Sequence, residues 1–120
     1  MIVINENNYP VIIMIFDNFF ELEYKTFIKN LEYYEKKNKN EDFFLKLYID
    51  LYNLQDYSYQ HLNKLIQYLN ENNFKTFDSS KIFFNRNNTS YIMKAMAYVN
   101  NMNQNDFKME IIDLEEPKKW

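Results

Sequence analysis

The 120-residue chain contains no glycine and no cysteine, one histidine, one arginine and two prolines. Without cysteine, thiol catalysis, disulfides and thiolate metal sites are excluded. Without glycine, the Walker phosphate loop, the dinucleotide-binding fingerprint and the nucleophile elbow cannot be written in their standard forms. Backbone positions needing positive φ must then use another residue, and asparagine tolerates that region best. Asparagine clusters at "NENN", again at "NENN" and at "NRNN", which read as turns. The excess of Asn, Lys, Ile, Tyr and Phe is also what AT-rich codons produce, a property of the genome rather than of function. No run reaches the ~20 apolar residues of a membrane span. The opening "MIVINENNYPVIIMIF" is broken by charge and Pro10 and makes a poor signal peptide, so a cytoplasmic protein is expected, without membrane insertion.

What is present is a large apolar fraction, 47%, with 19% aromatic residues. That is enough for a packed core in a single domain spanning 1–120. The net charge of −3 gives no electrostatic case for binding nucleic acid.

Two β-branched runs, 1–5 and 10–16, flank "ENNY" and read as a hairpin, with Pro10 tolerable at a strand start. "ELEYKTFIKNLEYYEKK" sets Leu22, Phe27, Ile28, Leu31 and Tyr34 on one helical stripe. "FFLKLYIDL" alternates, with Leu45, Leu47, Ile49 and Leu51 facing one way and Phe44, Lys46, Tyr48 and Asp50 the other. "YSYQHLNKLIQYLNENN" places Leu62, Leu65, Ile66 and Leu69 at i, i+3, i+4 and i+7, with Ser58 or Asp56 as the expected N-cap. "SKIFFN" is a short strand. "NTSYIMKAMAYVNNM" is a third helix with Ile92, Met93, Met96 and Val99 inward and Asn88 or Thr89 as cap. "FKMEIIDL" is a final strand, and "EEPKKW" reads as a helical turn with Trp120 folding back. The order β-β-α-β-α-β-α-β implies a layered α/β fold whose sheet is mostly parallel, with an antiparallel N-terminal edge strand.

Several residue types carry chemistry. His61 lies three residues after Ser58, close enough for a base and a nucleophile, but helix capping and surface exposure explain both. Asp17, Asp50 and Asp113 each end an apolar run. Parallel strand ends share one sheet edge, so these carboxylates could gather around Mg²⁺, although aspartate also simply suits strand-to-turn junctions. Ser79 and Ser80 in "FDSSK" read as a turn leading into a strand, with phosphoacceptor as the sharper alternative. Arg86, the only arginine, stands in an Asn-rich loop. Tyr33, Tyr34, Tyr48, Tyr52, Tyr57, Tyr59 and Tyr68 could form a stacking platform, but strand and helix faces account for most of them. Met93, Met96 and Met102 lie near one helical stripe, for core packing or for an adaptable groove.

The segment "LKLYIDLYNLQDYSYQHLNKLIQYL" resembles the centre of STAS domains, the SpoIIAA-like family of bacterial anti-sigma-factor antagonists. In both, an apolar strand ends in Asp-Leu, here Asp50-Leu51. An apolar residue follows, here Leu54, and a short loop opens a helix of the L-x-x-L-I type, here Leu62, Leu65 and Ile66. "VIIMIFDNFFELEYKTFIKNL" fits the family's start, and "KIFFN", "SYIMKAMAYV" and "KMEIIDL" fit its end. The family's Asp-Ser-Ser-Gly signature is replaced by Asp56-Tyr57-Ser58-Tyr59, and Ser58 is the serine that matches.

The resemblance implies a regulatory protein-interaction domain with no catalytic residues, metal or cofactor of its own. Its partner-binding residues would be Asp56, Tyr57, Ser58, Tyr59 and His61, with Ser58 a candidate phosphosite. A phosphate there would sit at a helix N-terminus, where the dipole favours anions. Two alternatives are an apolar-ligand (lipid-type) binding domain with a pocket between the sheet and the third helix, and a metal-dependent enzyme using the strand-end aspartates.

Overall fold

A computed structural model describes residues 2–55, 61–101 and 107–120. The elements are β1 (Ile2–Asn5), β2 (Val11–Phe16), α1 (Glu21–Lys37), β3 (Leu45–Asp50), α2 (Leu62–Glu71), β4 (Phe77–Asn85), α3 (Thr89–Asn100) and β5 (Lys108–Leu114). They form one five-stranded sheet in the order β1-β2-β3-β4-β5. β1 is antiparallel to β2, and the remaining pairs are parallel. The expected α/β layout is therefore the one found.

Because each crossover advances one strand in the same direction, right-handed connections place every helix on the same face. The core agrees. Phe27 and Leu31 of α1, Leu62, Leu65, Ile66 and Leu69 of α2, and Ile92, Ala95 and Val99 of α3 share one buried cluster. That cluster includes one face only of each strand, with Ile12, Met14 and Phe16 from β2 and Leu45, Leu47 and Ile49 from β3. The opposite face carries the rows Val3–Ile15–Asp50–Phe83–Ile112 and Asn5–Ile13–Tyr48–Lys81–Glu110.

α1 follows electrostatic expectation, with Glu21 and Glu23 in its first turn and Lys36 and Lys37 in its last. The Glu23 carboxylate turns back to accept the Phe20 N–H at 3.1 Å, which buries Glu23 and leaves Leu22 exposed. Leu22 therefore drops out of the inward stripe. α3 is likewise rotated from expectation. Ile92, Ala95 and Val99 face the core, while Met93 and Met96 are 65% and 41% exposed. Those two lie one residue off the i, i+3, i+7 stripe that meets the sheet. Met102 lies outside the described residues.

The Asn clusters work differently from a left-handed device. Among the described residues no side-chain-bearing residue has positive φ. Instead, Asn5 Oδ1 accepts the Asn7 N–H at 2.8 Å and Asn85 Oδ1 accepts the Asn87 N–H at 2.9 Å. Side-chain oxygens replace turn carbonyls, so ordinary backbone angles suffice without glycine.

β4 begins at Phe77, three residues earlier than the pattern suggests, so "FDSSK" is strand rather than turn. Its entrance is fixed from α1. Glu35 Oε1 accepts the N–H groups of Thr76 and Phe77 at 3.0 and 3.3 Å and the Thr76 hydroxyl at 2.7 Å, while Oε2 accepts the Lys75 N–H at 3.0 Å. Residues 115–120 form no helical turn; the chain bends at 115–116, and the irregular stretch after it brings Trp120 back over the sheet.

Candidate functional site

At the C-terminal edge of the sheet the strand-end aspartates do separate jobs. Asp50 is buried; its Oδ1 accepts the Tyr52 N–H at 2.9 Å and its Oδ2 accepts Trp120 Nε1–H at 2.6 Å. Asp113 pairs with Arg86 Nε at 3.0 Å, and β4 separates β5 from β3. Asp17 is exposed just after β2. Among the described residues no three His, Asp or Glu side chains gather as a metal site, so the geometry gives the shared-ion reading no support.

The loop after β3 starts firmly. Leu51 N–H donates to the Phe83 carbonyl at 2.8 Å, and the Leu51 and Leu54 side chains enter the core. Asp56, Tyr57, Ser58 and Tyr59 lie outside the described residues. At the α2 terminus the N-cap position belongs to His61 instead of Ser58 or Asp56, and its side chain makes no capping bond. With φ −112° and ψ 15°, His61 lies just outside helical geometry. The His61 ring is half-buried 6.1 Å from the Tyr24 ring of α1, and its shielded Nδ1 has no hydrogen-bond partner. Of the five residues assigned to partner binding, His61 is thus the one with a described environment.

The remaining candidates disperse. Ser80 is buried among Leu47 and Met109 of the neighbouring strands with its hydroxyl unpartnered, which leaves a kinase no access in the folded chain. Ser79 donates to Asp78 Oδ1 at 3.2 Å, and Asp78 in turn pairs with Lys46 at 2.6 Å. Arg86 is satisfied by Asp113 and Glu115. The described tyrosines share no single platform, and Tyr57 and Tyr59 lie outside the described residues. Tyr34 is buried under α1 and donates to Glu6, Tyr48 lies on the opposite sheet face, and Tyr68 packs against Phe27 and Phe74. Burial, reinforced by the Glu6 carboxylate, raises the Tyr34 phenol well above its ordinary range. Burial also raises that of Tyr68, with Glu32 adding to it.

A surface that the sequence pattern did not disclose lies at the N-terminal edge of the parallel strands. Tyr9, Phe43 and Phe44 are 49%, 40% and 54% exposed, and the rings of Tyr9 and Phe43 meet edge-on at 5.8 Å. Phe44 also lines a cavity of about 520 Å³ with Phe74, Phe77 and Phe107, where Lys75 and Asp78 supply charge. A second hollow of about 400 Å³ adjoins it through Asn72, Asn73, Phe74 and Lys75. Phe43 and Phe44 read as part of an alternating strand; β3 in fact starts at Leu45, which frees both rings. The signal that could have found them is an aromatic pair between the polar run "NKNED" and the first alternating residue.

No protein-family model, no curated protein and no solved structure matches the chain. Among the described residues no helix is long and apolar enough to cross a membrane.

Proposed function

We propose that this chain is a STAS-like regulatory domain of the cytoplasm that acts by binding a partner protein and performs no catalytic step. The observation that carries the reading is the rim of exposed rings, Tyr9, Phe43 and Phe44. Clustered exposed aromatics mark interaction surfaces, because they bury much area with few rotamers to freeze. The β-β-α-β-α-β-α-β order lends support to the resemblance. The resemblance adds a second contact formed by Asp56, Tyr57, Ser58, Tyr59 and His61, and phosphorylation of Ser58 would add charge there and weaken docking.

Affinity capture from the native cell, with mass spectrometry of bound proteins and of the bait, tests both surfaces. The expected result is a specific partner held by the wild type and lost by Phe43→Ser with Phe44→Ser, and weakened by Ser58→Asp. A partner indifferent to the rim variant and to Ser58→Asp, or no partner at all, sinks the reading.

The cavity lined by Phe44, Phe74, Phe77 and Phe107 favours a second reading, an apolar-ligand carrier whose pocket lies at the sheet edge instead of under α3. Native mass spectrometry of protein purified from its host would show a bound small molecule if this reading holds.

A further inference from the structure

Trp120 behaves as an occupant of the sheet face that the helices leave open. Its ring meets Phe83 edge-on at 5.2 Å and lies tilted at 5.9 Å from Tyr48, and its Nε1–H reaches Asp50 at 2.6 Å. Asp50 and Phe83 are buried beneath it. The residues leading to it, Glu116, Pro117, Lys118 and Lys119, are all exposed. The strap is held at its start by Glu115, whose carboxylate pairs with Arg86 and whose carbonyl accepts the Tyr52 hydroxyl at 3.2 Å, and at its end by the indole. Among the described residues no helix or other strand covers this face.

We propose that Tyr48, Phe83 and Asp50 form a recognition site for an indole, an aromatic ring bearing an N–H donor, and that Trp120 fills it in cis in competition with a tryptophan-bearing peptide of a partner. The chemistry is specific. The adjoining rings of Tyr48 and Phe83 offer edge-on and tilted aromatic contacts, while the carboxylate selects a ring whose edge donates a hydrogen bond. Phenylalanine would leave Asp50 Oδ2 without that donor. A short tether supplies an effective concentration in the millimolar range, so a free peptide at comparable concentration competes.

The chain's single tryptophan makes the test direct. A Trp120→Ala chain is titrated with the free peptide EEPKKW, with the peptide's own indole emission as readout and circular dichroism as the control for folding. The expected result is saturable binding at millimolar peptide with a blue shift in emission, weaker binding to the wild type, and no displacement of bound EEPKKW by an excess of EEPKKF. Adding Asp50→Ala should weaken binding by about tenfold or more, the fold-change of a lost charge-assisted hydrogen bond. If Trp120→Ala impairs folding and the peptide in trans restores it, the proposal also stands. A folded Trp120→Ala chain that ignores millimolar peptide, displacement of EEPKKW by EEPKKF at the concentrations that equal affinity would give, or unfolding that peptide does not reverse overturns it. In the wild type, indole emission as red-shifted and as quenchable by acrylamide as in urea would overturn it as well.

Discussion

The two faces of the sheet are made by the same strands and end in different states. On one face the row Ile4–Met14–Ile49–Ile82–Ile111 is apolar throughout and lies under three helices. On the other, Asn5–Ile13–Tyr48–Lys81–Glu110 mixes apolar, aromatic and charged groups, and Trp120 is laid over part of it. Parallel strands usually read as continuous apolar runs because both faces are covered. Here only β2, "VIIMIF", reads that way, whereas β3 and β5 alternate. The one-sided helical layer thus matches the polarity of the strands, and the strap covers part of what that layer leaves exposed. Charges on the strap side are managed in pairs, Lys46 with Asp78 and Lys81 with Glu110, while the Lys81 ammonium also lies 5.6 Å from the centre of the Tyr48 ring.

The contrast can be tested by deleting one side chain from each face. Leu47→Ala, in the central strand under the helices, should cost about 3 kcal/mol or more in urea unfolding, since the surrounding helices cannot collapse into the gap. Phe83→Ala removes a larger side chain but should cost less, about 2 kcal/mol against the roughly 3–5 of an enclosed core phenylalanine, because its cover is the half-buried Trp120 indole and the Tyr48 ring in place of a helix, and solvent can fill the space. Equal losses would mean that the two faces are equally well packed.

A smaller effect tests how the helical layer is fastened. Glu35→Ala strips the acceptor from three backbone N–H groups at the entrance to β4 and should cost about 1.5 kcal/mol, with faster hydrogen exchange at Lys75, Thr76 and Phe77. The smallest is a pH dependence confined to the helical side. Burial raises the folded-state pKa of Tyr34 above its ordinary 10.0, so the folded chain holds that proton more tightly than the unfolded one. Its contribution is complete below pH 10.0 and is lost as pH rises towards the folded value. Alkaline titration of stability should therefore fall from that point, and Tyr34→Phe should flatten the decline.

The α2 stripe Leu62, Leu65, Ile66 and Leu69 was legible because four aliphatic residues at strict helical spacing admit one arrangement. The phases of α1 and α3 were less legible. Leu22, Met93 and Met96 are apolar and sit beside the buried stripe, and what rotated them outward was the Glu23 cap and the packing of Ala95. The first half of β4 was hidden because Asp78, Ser79 and Ser80 have poor strand propensity; pairing with β3 and β5 overrides it. Of the candidate site, the sequence marked His61 and the strand-end aspartates but not their partners. It also concealed the aromatic rim, which depends on β3 starting at Leu45 and not at Phe43.

By itself the sequence determined which segments are strands and helices, and hence the alternating order that requires a parallel sheet. Those properties reside in spacings of two, three and four residues, which neighbouring side chains enforce locally. It also determined that glycine-based phosphate sites are absent. Only the tertiary structure decided that all helices share one face and that Trp120 donates to Asp50, 70 positions earlier in the chain. It likewise decided that Phe43 and Phe44 are exposed, the first against Tyr9 and the second at a cavity. Contacts between residues so far apart have no periodicity to betray them; they follow from where the sheet's register and the handedness of its crossovers bring the chain.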